Sequence, residues 1–197
     1  MTDDYTKPAT GPLQGVTVID LTINVLGPVC TQILGDMGAN VIKVEPPGGD
    51  PMRKLGPGHE QSMAAHFMAM NRNKRSLELN LKRPEALAAL KAVIAKADVL
   101  VHSMRAAAVD RLGLNFETLS ELNPRLIYAA AGGYAKAGPW KDRPAYDDVI
   151  QGQSGLAGMI QQANGEARYA PMAIADKYCG TQLASHIGMA LFTRSNT

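Results

Sequence analysis

The chain has few cysteines, few aromatics and almost no net charge. Cys30 and Cys179 are the only thiols in 197 residues. Two are too few for a disulfide scaffold and show no metal-ligand spacing, so both read as small buried hydrophobes. Lys plus Arg number 20 against 18 Asp plus Glu, a net charge of +2. That balance excludes a nucleic-acid binder unless the cations cluster on one face, and the only short run is Arg72, Lys74, Arg75. No run approaches the ~18 to 20 apolar residues of a membrane span. The start, Met1-Thr-Asp-Asp-Tyr-Thr-Lys-Pro8, lacks the basic and apolar regions of a signal peptide, which makes the cytosol the default compartment. The first βα turn, Thr22-Ile-Asn-Val-Leu-Gly27, lacks the glycine spacing of a dinucleotide site, and there is no P-loop, HExxH or GxSxG.

What the chain does have is a globular balance, with 46% hydrophobic and 19% charged residues, and an alternation of elements. Residues 1 to 14 are polar and hold Pro8, Gly11 and Pro12, the composition of a tail. Val16–Leu21 is a strand rich in β-branched residues. Gly27-Pro28 opens a helix over 29 to 37, Gly38 closes it, and 41 to 45 forms a second strand. The Gly- and Pro-rich stretch 46 to 61 reads as a long functional or mobile loop. Helix 62 to 70, strand 76 to 79, helix 84 to 96 and strand 98 to 101 follow. Helices 106 to 112 and 116 to 122 and strand 126 to 129 complete the series. Strand and helix in turn argue for an α/β fold, an open, largely parallel sheet with helices on both faces. After Gly132-Gly133 the pattern changes to a loop, a helix from 146 to 162 interrupted by glycines, a polar stretch 163 to 172, and a last helix from 176 to 193. A doubly wound sheet that ends on a helix reads as unfinished, the rest of it lying beyond these residues or on another chain.

In such sheets ligands bind beyond the carboxyl ends of the strands, which selects residues 22 to 28, 45 to 58, 102 to 111 and 130 to 147. Lys74 and Arg75 read as a basic turn ahead of a strand, either solvated or neutralising phosphates. Asp176, between Ala173-Ile-Ala175 and a helix, is an N-cap first and a nucleophile second, since carboxylates do form covalent intermediates. Tyr146, Asp147 and Asp148 read as a second cap cluster, with Tyr146 the one to reach a site. His59, His66, His102 and His186 show no metal or triad spacing and read as structural or exposed.

The ordered set Gly15–Leu21, Gly27-Pro28, Leu34–Glu45, Gly49-Asp50, Asn73–Ser76, Arg111–Gly113, Leu122–Arg125 and Asp142–Asp147 resembles the family III CoA-transferases. That family holds formyl-CoA:oxalate and carnitine CoA-transferases and the α-methylacyl-CoA racemases. The similarity runs from about residue 13 to the end in one register. It implies the N-terminal part of a Rossmann-like domain from a chain roughly twice as long. The small domain, the C-terminal segment and a covering glycine-rich loop would lie downstream, and two subunits would interlink as a homodimer. It implies coenzyme A as the carried group, an acyl-CoA donor, a carboxylic acid acceptor, and no metal. The catalytic carboxylate falls on Asp176, which would form a mixed anhydride and then an enzyme-CoA thioester. CoA contacts fall on Val25, Leu79, Ser103, Met104 and Arg111, with Lys74 and Arg75 as phosphate partners. Val25 stands where the oxalate enzyme carries glutamine and Pro46 where it carries arginine, so oxalate specificity is not implied. The racemases carry His-Asp where this chain has Tyr146-Asp147. A phenol that ionises near pH 10 is a poor base for an α-proton at neutral pH, which favours transferase over racemase. A third reading is a non-catalytic CoA-binding fragment.

Overall fold

A computed structural model describes residues 10–58, 62–135 and 137–197. Five strands form one sheet: β1 (Thr17–Leu21), β2 (Asn40–Glu45), β3 (Lys74–Glu78), β4 (Val99–His102) and β5 (Ile127–Ala130). The helices are α1 (Leu26–Asp36), α2 (Ala65–Asn71), α3 (Pro84–Ile94), α4 (Ala106–Leu112), α5 (Phe116–Leu122), α6 (Asp147–Gln153), α7 (Leu156–Asn164) and α8 (Ile174–Asn196). All four strand pairings are parallel, in the order β3-β2-β1-β4-β5. Val18 of β1 sits beside Val41 of β2 on one side and Val99 of β4 on the other.

Side chains alternate across the sheet, and both faces are apolar, because helices cover both. Val18, Val41, Val99, Val101 and Ala129 pack with Cys30 and Leu34 of α1 and with Ala184 and Ile187 of α8. Ile19, Leu21, Val44 and Leu100 pack on the other side with Leu90 and Ile94 of α3, Val109 of α4 and Leu119 of α5. Doubly wound architecture, expected from the alternation, is what forms. The first face changes character along its strands. It is apolar near the amino ends at Val18 and Val41, but two residues later it carries the buried Asp20 and Lys43, and then Glu45.

Several expectations need correction. Residues 10–14 are not a free tail: Leu13 packs on the first core cluster and its N–H donates to Met37 O at 2.9 Å; residues 1–9 lie outside the described set. The loop after β2 holds a 3-10 helix, Pro51–Lys54, capped by Asp50, whose carboxylate accepts the Met52 N–H at 2.9 Å. Lys74 and Arg75 are strand residues, not a turn, because β3 extends back far enough to pair Lys74 with Val41. The 146 to 162 helix is two helices, broken at Gly155, whose φ of 86° leaves the right-handed region. The last helix starts at Ile174 and continues to Asn196. Cys179 is exposed, unlike Cys30. His66 and His186 are exposed and His102 is buried at the end of β4; His59 lies outside the described residues.

Candidate active site

The carboxyl edge of the sheet is built from the segments after β1, β2, β3 and β4. The strand order switches direction at β1, whose neighbours β2 and β4 are reached by connections leaving to opposite sides, the position where open parallel sheets hold ligands. Across that point the Ile23 N–H donates to Ser103 Oγ at 3.2 Å, tying the segment after β1 to the one after β4. Val25 occupies the N-cap position of α1 and is partly buried. Met104, partly buried against the second core cluster, donates its N–H to His102 Nδ1 at 3.3 Å. Leu79 follows β3 and packs on the same cluster. Val25, Leu79, Ser103 and Met104 therefore stand in the segments at the carboxyl edge. Arg111 is exposed in the last turn of α4, about 9 Å along the helix from Arg105, and so set back from the carboxyl edge.

Lys74 and Arg75 are committed elsewhere. The Lys74 ammonium donates to Asp20 Oδ2 at 3.0 Å, Pro28 O at 3.0 Å and Asn71 Oδ1 at 2.9 Å, with its side chain 2% exposed. All three donors are used inside the chain, and burial pulls the ammonium down to about 8. Arg75 is exposed and donates to Asn40 Oδ1. Asp20 also accepts from the Thr22 N–H and hydroxyl and from the Thr31 hydroxyl. Burial alone would raise its pKa, but Lys74, Lys43 and the two hydroxyls hold it below the usual range. Next to it, Lys43 pairs with Asp50 at 2.9 Å. Glu45 accepts both Arg53 donors at 2.7 Å, the Ser76 hydroxyl at 2.6 Å and the Asp50 N–H at 2.8 Å. A cavity of about 200 Å³ lies among Lys43, Glu45, Arg53, Phe67, Lys74 and Ser76. Its charges are already matched within the chain.

Asp176 reaches the same edge from α8. That helix runs alongside α1: Gly180 lies against the first turn of α1, Ala184 and Ile187 join Cys30 and Leu34 in the core, and Arg194 binds Asp98 at 2.7 Å at the amino end of β4. Asp176 stands 18 residues before Arg194, about 27 Å up the helix, and so at the carboxyl edge. A Cβ on Gly180 would come within 2.5 Å of Leu26 O, so glycine is what lets α8 lie this close. Four residues before it, Asp176 lies on that helical face.

Asp176 is not the N-cap. Ala173 holds that position without a side-chain bond, and Asp176 is the third helical residue. Its N–H donates instead to Asp147 Oδ1 at 2.9 Å. Asp147 thus caps α8 rather than its own α6, a role the sequence reading missed; Tyr146, next to it, is 65% exposed at the start of α6. Burial, then the charge of Asp147, push the Asp176 carboxyl up to about 6. Among the described residues no group of three or more His, Cys, Asp or Glu could hold a metal ion, and no helix is long and apolar enough to cross a membrane.

The profile of CoA-transferase family III matches residues 13–197. The chain belongs to that family. It is 39% identical over 199 residues to the acetyl-CoA:oxalate CoA-transferase of Acetobacter aceti, covering 100% of this chain and 51% of that protein. It is 35% identical to the human succinyl-CoA:glutarate CoA-transferase, covering 94% and 43%. Among solved structures, a CAIB/BAIF family protein from Brucella suis superposes with a TM-score of 0.89 at 36% identity, over 94% of this chain and 50% of that one. The chain spans about half the length of the curated relatives it matches. Family membership was legible in the motif order.

Proposed function

We propose that this chain carries the thioester site of an acyl-CoA:carboxylate CoA-transferase, with Asp176 as nucleophile. The ionised Asp176 attacks the thioester carbonyl, an Asp176–acyl anhydride forms, the carbon–sulfur bond breaks, and CoA leaves as thiolate. The thiolate attacks the aspartyl carbonyl, releasing the donor acid and leaving an Asp176–CoA thioester. The acceptor carboxylate then repeats the sequence in reverse and leaves as its CoA thioester. No bond energy is lost to water at any step, provided the pocket excludes it.

The observation that carries this reading is a half-buried carboxylate at the carboxyl edge, tied through its N–H to a second carboxylate, Asp147, and pushed up to about 6 by burial and that neighbouring charge. At neutral pH it is still mostly ionised, so it can attack. Because burial disfavours its charge, acylation relieves that cost by making it neutral, and a carboxylate remains a good leaving group for the return step. Curated relatives named as oxalate and glutarate CoA-transferases support the same class. Val25, Leu79, Ser103, Met104 and Arg111 are proposed to hold CoA, and Tyr146 to border the acyl group. Lys74 has no donor free for a phosphate, and Arg75, though exposed, donates to Asn40 at the amino end of β2, away from the carboxyl edge. A cytosolic homodimer, completed by a second half of the protein, is the proposed setting.

The test uses the protein as expressed from its own gene. Incubation with acyl-CoA and hydroxylamine should yield a hydroxamate at Asp176, and labelled free CoA should exchange into the acyl-CoA pool. Turnover with Asp176 unmodified would exclude the anhydride. Deuterium entering the α-carbon of the acyl group from heavy water, without CoA exchange, would show a racemase instead. CoA binding with neither reaction would show a non-catalytic fragment.

A further inference from the structure

Among the described residues, the hydrogen bonds that hold the segment delivering Asp176 come from α6. Residues 165 to 169, 171 and 172 are exposed, and the Arg168–Glu166 pair at 2.5 Å is a surface contact of the segment with itself. Attachment comes from one turn of α6. Gln151 is 2% exposed, and each of its polar side-chain atoms is used: Oε1 accepts the Ala170 N–H at 2.7 Å, while Nε2 donates to Met172 O at 3.2 Å and to Asp147 Oδ2 at 2.5 Å. The other Asp147 oxygen accepts the Asp176 N–H. Asp147 and Gln151 are four residues apart, neighbours on one helical face. Residues 170, 172 and 176 are thereby fixed to a single rigid patch.

A cap alone would need only one oxygen of Asp147. The second oxygen, held by a buried amide, fixes the rotamer of Asp147 and with it the distance between two carboxylates. We propose that Asp147 and Gln151 are positioning residues for the Asp176 carboxylate: Gln151 locks the chain leading into α8, and Asp147 holds both the first turn of α8 and a negative charge beside the nucleophile. This rests on the reading of Asp176 given above. Two donors reach Asp147, the Gln151 amide and the Asp176 N–H, and its nearness adds to burial in raising the Asp176 carboxyl.

The other groups at this end do not cancel that charge. Asp148 turns one oxygen to the Val149 N–H at 2.9 Å, Tyr146 is an exposed phenol, and Lys177 is exposed in the next position of α8. Cys179 is raised by burial and by both aspartates. Of the elements packed on α8, α1 carries Cys30 and Asp36, while Tyr128 of β5 packs on the other face of the sheet and donates to Leu114 O.

Two variants of the protein expressed from its own gene separate geometry from charge. Gln151→Leu keeps the Asp147 charge but removes the lock. It should lower kcat by on the order of 10- to 100-fold with KM for acyl-CoA little changed, the scale of a nucleophile misplaced by about 1 Å. The acid limb of its pH profile should stay in place, and amides 173 to 177 should exchange hydrogen faster. Asp147→Asn keeps an oxygen for the Asp176 N–H but removes the charge and turns an amide NH2 toward the Gln151 Nε2 donor, so the acid limb should move to lower pH while the lock is also weakened. Unchanged kcat and unchanged amide exchange in Gln151→Leu would overturn the proposal. So would an unmoved acid limb in Asp147→Asn, which decides the matter if Gln151→Leu fails to fold. A wild-type protein that turns over without acylating Asp176 would refute the nucleophile instead, while amide exchange at 173 to 177 would still judge the lock.

Discussion

Glu45 and Asp176 stand at the carboxyl edge of the same domain and differ in almost every respect that sets carboxylate chemistry. Glu45 is enclosed by four donors from Arg53, Ser76 and Asp50, which outweigh burial and hold it down at about 2. Asp176 has burial and a second carboxylate against it, and rises to about 6. A carboxylate saturated with donors is a fixed anion, unable to gain by bonding to carbon. One deprived of them gains by being neutralised, and acylation neutralises it. The loop after β2 illustrates the first case. Its glycines and prolines suggest mobility, yet Arg53 lies over the Phe67 ring at 3.8 Å while bonded to Glu45, and Asp50 pairs with the buried Lys43.

The contrast is open to attack at several points. Replacing the deprived carboxylate should have the largest effect: Asp176→Ala should reduce CoA transfer by about ten-thousand-fold or more, the scale seen when a covalent nucleophile is removed. Steady-state rates with CoA binding unchanged would check it. Replacing the saturated one should leave chemistry to be judged only after stability, because Glu45→Gln strands the Arg53 guanidinium. We expect a loss of about 3 kcal/mol in urea unfolding. Gly180→Ala should push α8 off the first turn of α1 and cost about 1 to 3 kcal/mol, with a fall in kcat, as thermal unfolding and rates would report.

The two carboxylates also predict opposite pH dependences. Glu45 has a lowered folded pKa, so its stabilisation is complete above about 4.5 and is lost as pH falls toward about 2. Asp176 has a raised folded pKa, so its contribution is complete below the usual 3.8 and is lost as pH rises through about 6. Asp176→Asn should therefore stabilise the fold at pH 8 by about 0.5 kcal/mol while leaving it unchanged near pH 3. Urea midpoints at the two pH values check the sign.

How much of this could be read in the residues differs along the chain. The sheet was legible because the runs at Val16–Leu21 and 98 to 101 are short, apolar and β-branched, the pattern of strands buried on both faces. Asp176 stood out as a candidate through motif order, and Val25, Ser103 and Met104 entered only through the family register. The ionic layer was not, since nothing local to Lys74 says that Asp20, 54 residues earlier, will take its charge. Asp147 as the cap of α8 was equally hidden, because a capping box is sought within one helix and this cap crosses 29 residues. The i, i+4 spacing of Asp147 and Gln151 was the one available signal.

Heavy oxygen gives the most direct test of the central claim. In the proposed cycle the oxygen that bridges the second anhydride comes from the acceptor acid and stays on the enzyme carboxylate when CoA thiolate attacks the acceptor carbonyl. Trypsin releases residues 169 to 177 as a peptide whose only side-chain carboxylate is Asp176. Turnover with an acceptor acid labelled in both carboxylate oxygens with oxygen-18, in ordinary water, should place heavy oxygen in that peptide in step with product formed. Full turnover with the peptide left at natural mass would contradict the account.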